Sequence, residues 1–255
     1  MRTLKLTLAY DGTAFVGWQR QQSGISIQGL VEDAFARIEG SSVVVTGAGR
    51  TDAGVHAVGQ VASVRVGHPI GVAPLQRALN AILPEEVRVL EVVEAPGDFH
   101  ARFGARAKTY HYRIVTGYIV SPFERRYAWH VTQPLDIEAM RAAARPLVGT
   151  HDFAAFRAAG TETSTTVRTI TRLDVTETAP PVAAVADPRA RAIALEVDGD
   201  GFLRHMVRTI AGTLVEIGTG RRTPQSIVAT LASKDRSEAG PTAPPWGLFL
   251  VRVEY

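Results

Sequence analysis

Residues 58–66, "VGQVASVRV", decide the fold class. Hydrophobic and small or polar residues alternate along them, the period-two pattern of a strand. They follow a β-branched run at 42–46 with only a glycine-rich turn between, "GAGRTDAGVHA" from Gly47 to Ala57. Two strands in direct succession form no βα unit. A dinucleotide-binding reading of Gly47-x-Gly49 therefore fails, because no helix N-terminus faces a pyrophosphate and no acid stands about 20 residues on to hold a ribose. A Walker A loop fails for want of Gly-Lys-Ser/Thr.

Residues 3–10 ("TLKLTLAY") alternate as a strand, and Ile27, Leu30, Val31, Ala34, Phe35 and Ile38 share one helical face behind a candidate N-cap, Ser26. A helix is expected over 72–83 and a strand over 87–93. The order is β-α-β-β-α-β, the split βαβ pattern. The remainder repeats it. A strand is read at 108–115, a helix from Asp136, strands in "VRTITRLDVTE" and "RAIALEVDG", a strongly periodic helix through Leu203, Met206, Val207, Ile210, Leu214 and Ile217, and a last strand in "GLFLVRVEY". A short extra helix is expected near 224–233. The expected class is α+β, with two ferredoxin-like (βαββαβ) halves over 1–105 and 106–255, each an antiparallel sheet with helices on one side. "TAPPVAAVADPRAR" (178–191) reads as a long hairpin connection.

The 255 residues are 45% hydrophobic and 21% charged, an ordinary globular composition. Absence of cysteine excludes disulfides, thiolate nucleophiles and cysteine-ligated metal centres. The seven histidines lack metal spacing, and "MRTLKLTLAYDG" has no apolar core of a signal peptide. No stretch of about 18 apolar residues occurs, so no membrane span is expected. Net charge is +3, but its distribution is more informative. Between Phe99 and His130 stand six Arg or Lys (102, 106, 108, 113, 125, 126), one acid (Glu124) and eight aromatics. Basic residues interleaved with rings suit phosphate contacts and base stacking, and equally a strand with buried rings and solvated arginines.

The charged turn itself supports two accounts. Asp and Gly favour turns for local reasons, with Asp52 capping its own loop. Alternatively, a carboxylate on a loop between strands acts as a nucleophile when a cation holds it ionised. In "GFLRHMVRTIAG", Arg204 and Arg208 stand four apart, a spacing that projects both from one helical face as candidate cations.

"AGRTDAGVHA" (48–57) resembles the active-site signature of the tRNA pseudouridine synthase A family. "YDGTAFVGWQRQ" (10–21), "LNAILPEEVRV" (79–89), "DFHARFGARAKTYHYRI" (98–114), "HMVRTIAGTLVEIG" (205–218), "ASKDR" (232–236) and "TAPPWGLFLV" (242–251) extend the resemblance over nearly the whole chain. The 178–191 connection is longer than the family's pattern. The resemblance implies the pseudouridine synthase fold with a cleft between the two halves. It implies a cytoplasmic homodimer that isomerises uridine to pseudouridine at positions 38 to 40 of the tRNA anticodon stem-loop, without metal or organic cofactor. It further implies that Asp52 is the catalytic nucleophile and that Arg50 assists base extrusion. Tyr110 would pack on the flipped uracil, Arg208 would pair with Asp52, and Leu248 would line the pocket. Trp18 and Gln19 are expected to shape the N-terminal strand and loop, and Arg20 to reach a phosphate. A tRNA-binding module without catalysis, and a hydrolase using two carboxylates, are the competing classes.

Overall fold

The computed structural model describes residues 1–160, 163–178, 187 and 189–255. The chain resolves into two compact units, Met1–Arg106 with Phe249–Tyr255, and Ala107–Leu248. The long connection expected at 178–191 falls largely outside the described residues.

In the first unit, β1 (Arg2–Tyr10) leads into α1 (Ile27–Glu39), β2 (Val45–Gly47), β3 (His56–Val66), α2 (Val72–Ile82) and β4 (Val87–Ala95). β1 lies between β4 and β3, antiparallel to both, and β2 runs antiparallel along the far edge of β3. This 4-1-3-2 order is the ferredoxin-like sheet that the β-α-β-β-α-β pattern anticipates. Ser26 caps α1 as expected, its hydroxyl accepting from Gly29 N at 3.2 Å. The apolar stripe of Ile27, Val31, Ala34 and Phe35 is buried.

Two features depart from the expectation. The final strand, β10 (Leu248–Glu254), does not simply close the second half: its Phe249 and Leu250 pair in parallel with His56 and Ala57 of β3. And β3 is buried on both faces rather than one, Gln60 fully and Ser63 nearly so. The second cover is a small cluster in which Val61 packs with Ala48 and Ala101, flanked by Phe99, Val253 and Tyr255. Gln60 and Ser63 are thus internal hydrogen-bonding groups, while Arg65 near the strand's end stays exposed.

In the second unit, β5 (Ala107–Thr116), β6 (Trp129–Val131), α3 (Ile137–Ala144), β7 (Gly149–Asp152), β8 (Val167–Glu177), β9 (Ala192–Gly199), α4 (Met206–Gly218) and α5 (Ser226–Ser233) precede β10. β9 lies between β5 and β8, antiparallel to both, repeating the 1-3-2 core of the first sheet. β7 continues beyond β8 and β6 pairs in parallel with β5. Neither short strand was expected, since three or four residues carry too little periodicity to register. α4 is buried nearly all round, from Met206 to Gly218. No helix of the described residues is long and apolar enough to cross a membrane.

Candidate active site

Asp52 sits in the turn between β2 and β3, half-buried, with Arg50 exposed two residues earlier. Glycine brings chain flexibility here, yet the turn is pinned at every second or third residue. Ala48 N donates to Val61 O at 2.7 Å, and Val55 N closes back on Asp52 O at 3.1 Å. The residue before Asp52, Thr51, is buried and held twice. Its carbonyl accepts from Trp18 N at 3.0 Å, and its hydroxyl lies 2.8 Å from the Tyr10 hydroxyl. Gln60 completes the network, its amide donating to Tyr10 Oη at 3.3 Å and to Gly49 O at 2.9 Å. Burial pushes the Tyr10 phenol up to about 12, so it stays a neutral hydrogen-bonding group.

The segment beneath the turn is "YDGTAFVGW". Gly17 adopts φ +106°, and a Cβ there would lie 2.5 Å from Thr51 O and 3.0 Å from the Asp52 carbonyl carbon. Only glycine permits both the left-handed backbone and this approach. At the end of the turn, His56 is buried, its Nδ1 accepting from Gly12 N at 3.0 Å with its ring stacked on Phe249. Trp18 and Gln19 shape this region as expected: Trp18 is buried against Gly47, and Gln19 bonds Gln28 Oε1 at 2.8 Å. Arg20, expected to reach a phosphate, is exposed and already paired within the fold. Its guanidinium binds Glu32 and Asp33 at 2.9 and 2.8 Å, hydrogen bonds that raise its already high pKa.

The second unit holds Tyr110, Arg208 and Leu248. Tyr110 is buried on β5 opposite Val197, with its ring edge-on to Phe202 at 5.0 Å. Arg208 lies in the first turn of α4, half-buried, and its Nε donates to Ala243 O at 2.7 Å while its own carbonyl accepts from Ala243 N. Ala243 belongs to a strap, residues 239–248, that ends in buried Leu248. Tyr112 reaches the same strap through Oη to Pro244 O at 2.8 Å, and burial raises its phenol pKa further than that of Tyr10. Arg208 and Leu248 are thereby tied to one irregular segment.

The expected pairing of Arg204 with Arg208 on one helical face is corrected. α4 begins at Met206, and His205 takes a left-handed φ of 64° that breaks the helical path between the two arginines. Arg204 is exposed and its carbonyl accepts from Ala158 N, outside the helix. Sequence reasoning did not single out Tyr10, Thr51 and Gln60, which seat the turn. The available signal was a glutamine between the small and β-branched residues of β3, which becomes informative once both faces of that stretch are covered.

A family model described as tRNA pseudouridine synthase matches residues 7–104 and 143–255 of the chain. The chain is 44% identical over 255 residues to the tRNA pseudouridine synthase A of Syntrophotalea carbinolica, covering 100% of this chain and 97% of that protein. It is 46% identical to the protein of the same name from Myxococcus xanthus, covering 100% and 92%. It is also 46% identical to that of Moorella thermoacetica, covering all of both.

Proposed function

Because the chain belongs to the tRNA pseudouridine synthase family, and is thereby an isomerase acting on tRNA, we propose that it converts uridine to pseudouridine at positions 38 to 40 of the anticodon stem-loop, with Asp52 as the nucleophile. The reaction breaks N1–C1′, turns the uracil and joins C5 to C1′. A proton leaves C5 and one is gained at N1, so nothing is consumed. A carboxylate serves this chemistry by attack at C6 or C1′ or by assisting loss of the C2′ proton, and each route needs it ionised and held still.

The observation that carries the assignment is the seating of Asp52. Its peptide neighbours are fixed by Trp18, Tyr10 and Val55 while the residue itself stays half-exposed. Holding a reacting group in one geometry removes part of the entropic barrier. A turn that merely reversed the chain would need no buried three-residue network. Arg50, exposed on the same turn, assists extrusion of the base. Tyr110 packs on the flipped uracil, Arg208 keeps the nucleophile ionised and Leu248 lines the pocket. The working unit is a cytoplasmic homodimer with tRNA spanning both subunits.

The test is Asp52→Asn assayed on an unmodified tRNA transcript, with pseudouridine mapped by carbodiimide labelling. Product at 38–40 is expected from the wild type and none from the variant. Binding of tRNA should survive, because phosphate contacts supply most affinity. Robust turnover by Asp52→Asn would remove the nucleophile assignment, and product at other positions would remove the target assignment.

A further inference from the structure

The first unit carries a second irregular turn, residues 100–104 ("HARFG"), whose construction the chemistry at Asp52 does not use. Phe103 is 78% exposed on it. A single exposed ring is ordinary on a protein surface; its mounting is not. One face of Phe103 stacks on His100, with ring centres 4.3 Å apart and planes 27° apart. The imidazole is itself locked, since Nδ1 accepts from both Arg102 N and Phe103 N at 3.2 Å, and Gly104 N closes the turn on His100 O at 2.9 Å. Between them Ala101 is fully buried and bonded at both ends, its N–H to Ser63 Oγ at 3.2 Å and its carbonyl to the Tyr255 hydroxyl at 2.8 Å.

The anchor gives the turn its meaning. Ala101 packs in the same small cluster as Ala48 and Val61, and Ala48 begins the stretch that carries Arg50 and Asp52. One patch of core therefore seats both turns. Arg102 is exposed, its guanidinium carbon 5.6 Å from the Phe103 ring centre, and Arg106 is exposed four residues on. An outward ring on a rigid mount, flanked by cations, combines a π-face with phosphate-binding charge. Single-stranded RNA is bound by that combination. Because His100 and the closed turn already fix the ring, little side-chain entropy is lost when a base lands on it.

We propose that Phe103, backed by His100, is a stacking platform for an unpaired nucleobase of the tRNA substrate, with Arg102 taking an adjacent phosphate. The assignment rests on the reading of the chain as a tRNA-modifying enzyme and adds a binding position that the reaction itself does not require.

The experiment compares wild type, Phe103→Ala, Phe103→Trp and Arg102→Ala on one unmodified tRNA transcript across a salt series. Loss of base–aromatic stacking should weaken tRNA binding by Phe103→Ala by about 5- to 150-fold, with melting temperature and salt slope unchanged. Phe103→Trp should bind at least as well as wild type. Arg102→Ala should instead reduce the salt slope by roughly 0.7–0.9. Wild-type affinity in Phe103→Ala, or lost affinity accompanied by a lowered melting temperature, would overturn the platform. If the wild type converts the transcript while Phe103→Ala binds normally, only this inference falls. If the wild type neither binds nor converts it, the functional reading falls and takes the platform with it.

Discussion

Two irregular segments carry most of the assigned residues, and they are held in opposite ways. The turn at 48–55 in the first unit rests on neutral groups: Tyr10, Thr51, Gln60 and the Trp18 peptide. The strap at 239–248 in the second is clamped chiefly by guanidinium groups, beside the Tyr112 hydroxyl on Pro244 O. Arg208 holds Ala243, and Arg236 reaches Gly240 O at 2.9 Å and Thr242 Oγ1 at 3.0 Å. Gly212 lets the strap lie directly on α4, since a Cβ there would come within 1.8 Å of Pro241 O. A neutral network beneath Asp52 adds no charge that competes for its carboxylate. A strap of prolines and short side chains has few groups of its own, and the charged donors beside it supply what its carbonyls need.

The largest effect is expected at Gly17. Substitution Gly17→Ala forces a side chain into the Thr51–Asp52 backbone and should displace Asp52, the proposed nucleophile. A misplacement near 1 Å costs on the order of 100-fold in turnover, and tRNA affinity should hold. Single-turnover rates beside filter binding measure both, and an unimpaired rate would mean the seating of the turn is irrelevant to chemistry.

An intermediate effect is expected at Arg208. Arg208→Ala removes a charge-assisted bond to Ala243 O, worth about 1.5–3 kcal/mol, and should lower the melting temperature by roughly 3–10 °C. Turnover should fall more than tRNA affinity, because the strap ends in Leu248 rather than in phosphate-binding groups. Unchanged melting would show that the strap is held without this arginine.

The smallest effect tests the neutrality of the first network. Tyr10→Phe should cost about 1 kcal/mol at neutral pH, the worth of a buried hydrogen bond. The pH dependence has a definite sign. Burial raises the folded-state pKa of Tyr10 to about 12, against about 10 in the unfolded chain. Its contribution is therefore complete below pH 10 and is lost as pH rises toward 12. The stability gap between wild type and Tyr10→Phe should narrow over that interval. A gap that stays constant through pH 11 in denaturant titrations would mean that the phenol is not held neutral.

Much of this was legible without coordinates, where local periodicity and burial agree. Ser26, the stripe of α1 and the β-α-β-β-α-β order of the first unit follow from residues that choose their conformation against near neighbours. The Asp52 turn stood out because a glycine-rich reversal does not need two opposite charges two residues apart. By contrast, "GFLRHMVR" has helical spacing throughout, yet the helix starts only at Met206. The left-handed His205 that delays it depends on tertiary surroundings that spacing cannot register.

The amino-acid sequence was enough to place the longer elements, to carry the family's motifs and to single out Asp52 as the candidate carboxylate. Those properties reside in runs of ten or so residues. Folding in three dimensions settled that β3 is covered on both faces, that β10 joins the first unit beside His56, that Arg20 pairs with Glu32 and Asp33, and that Ala48 and Ala101 share one seat. Each of these joins residues that meet only once the chain has folded. Ala48 and Ala101 illustrate the reason: two alanines about fifty residues apart carry no local signal, and they become informative when one small core holds both turns above it.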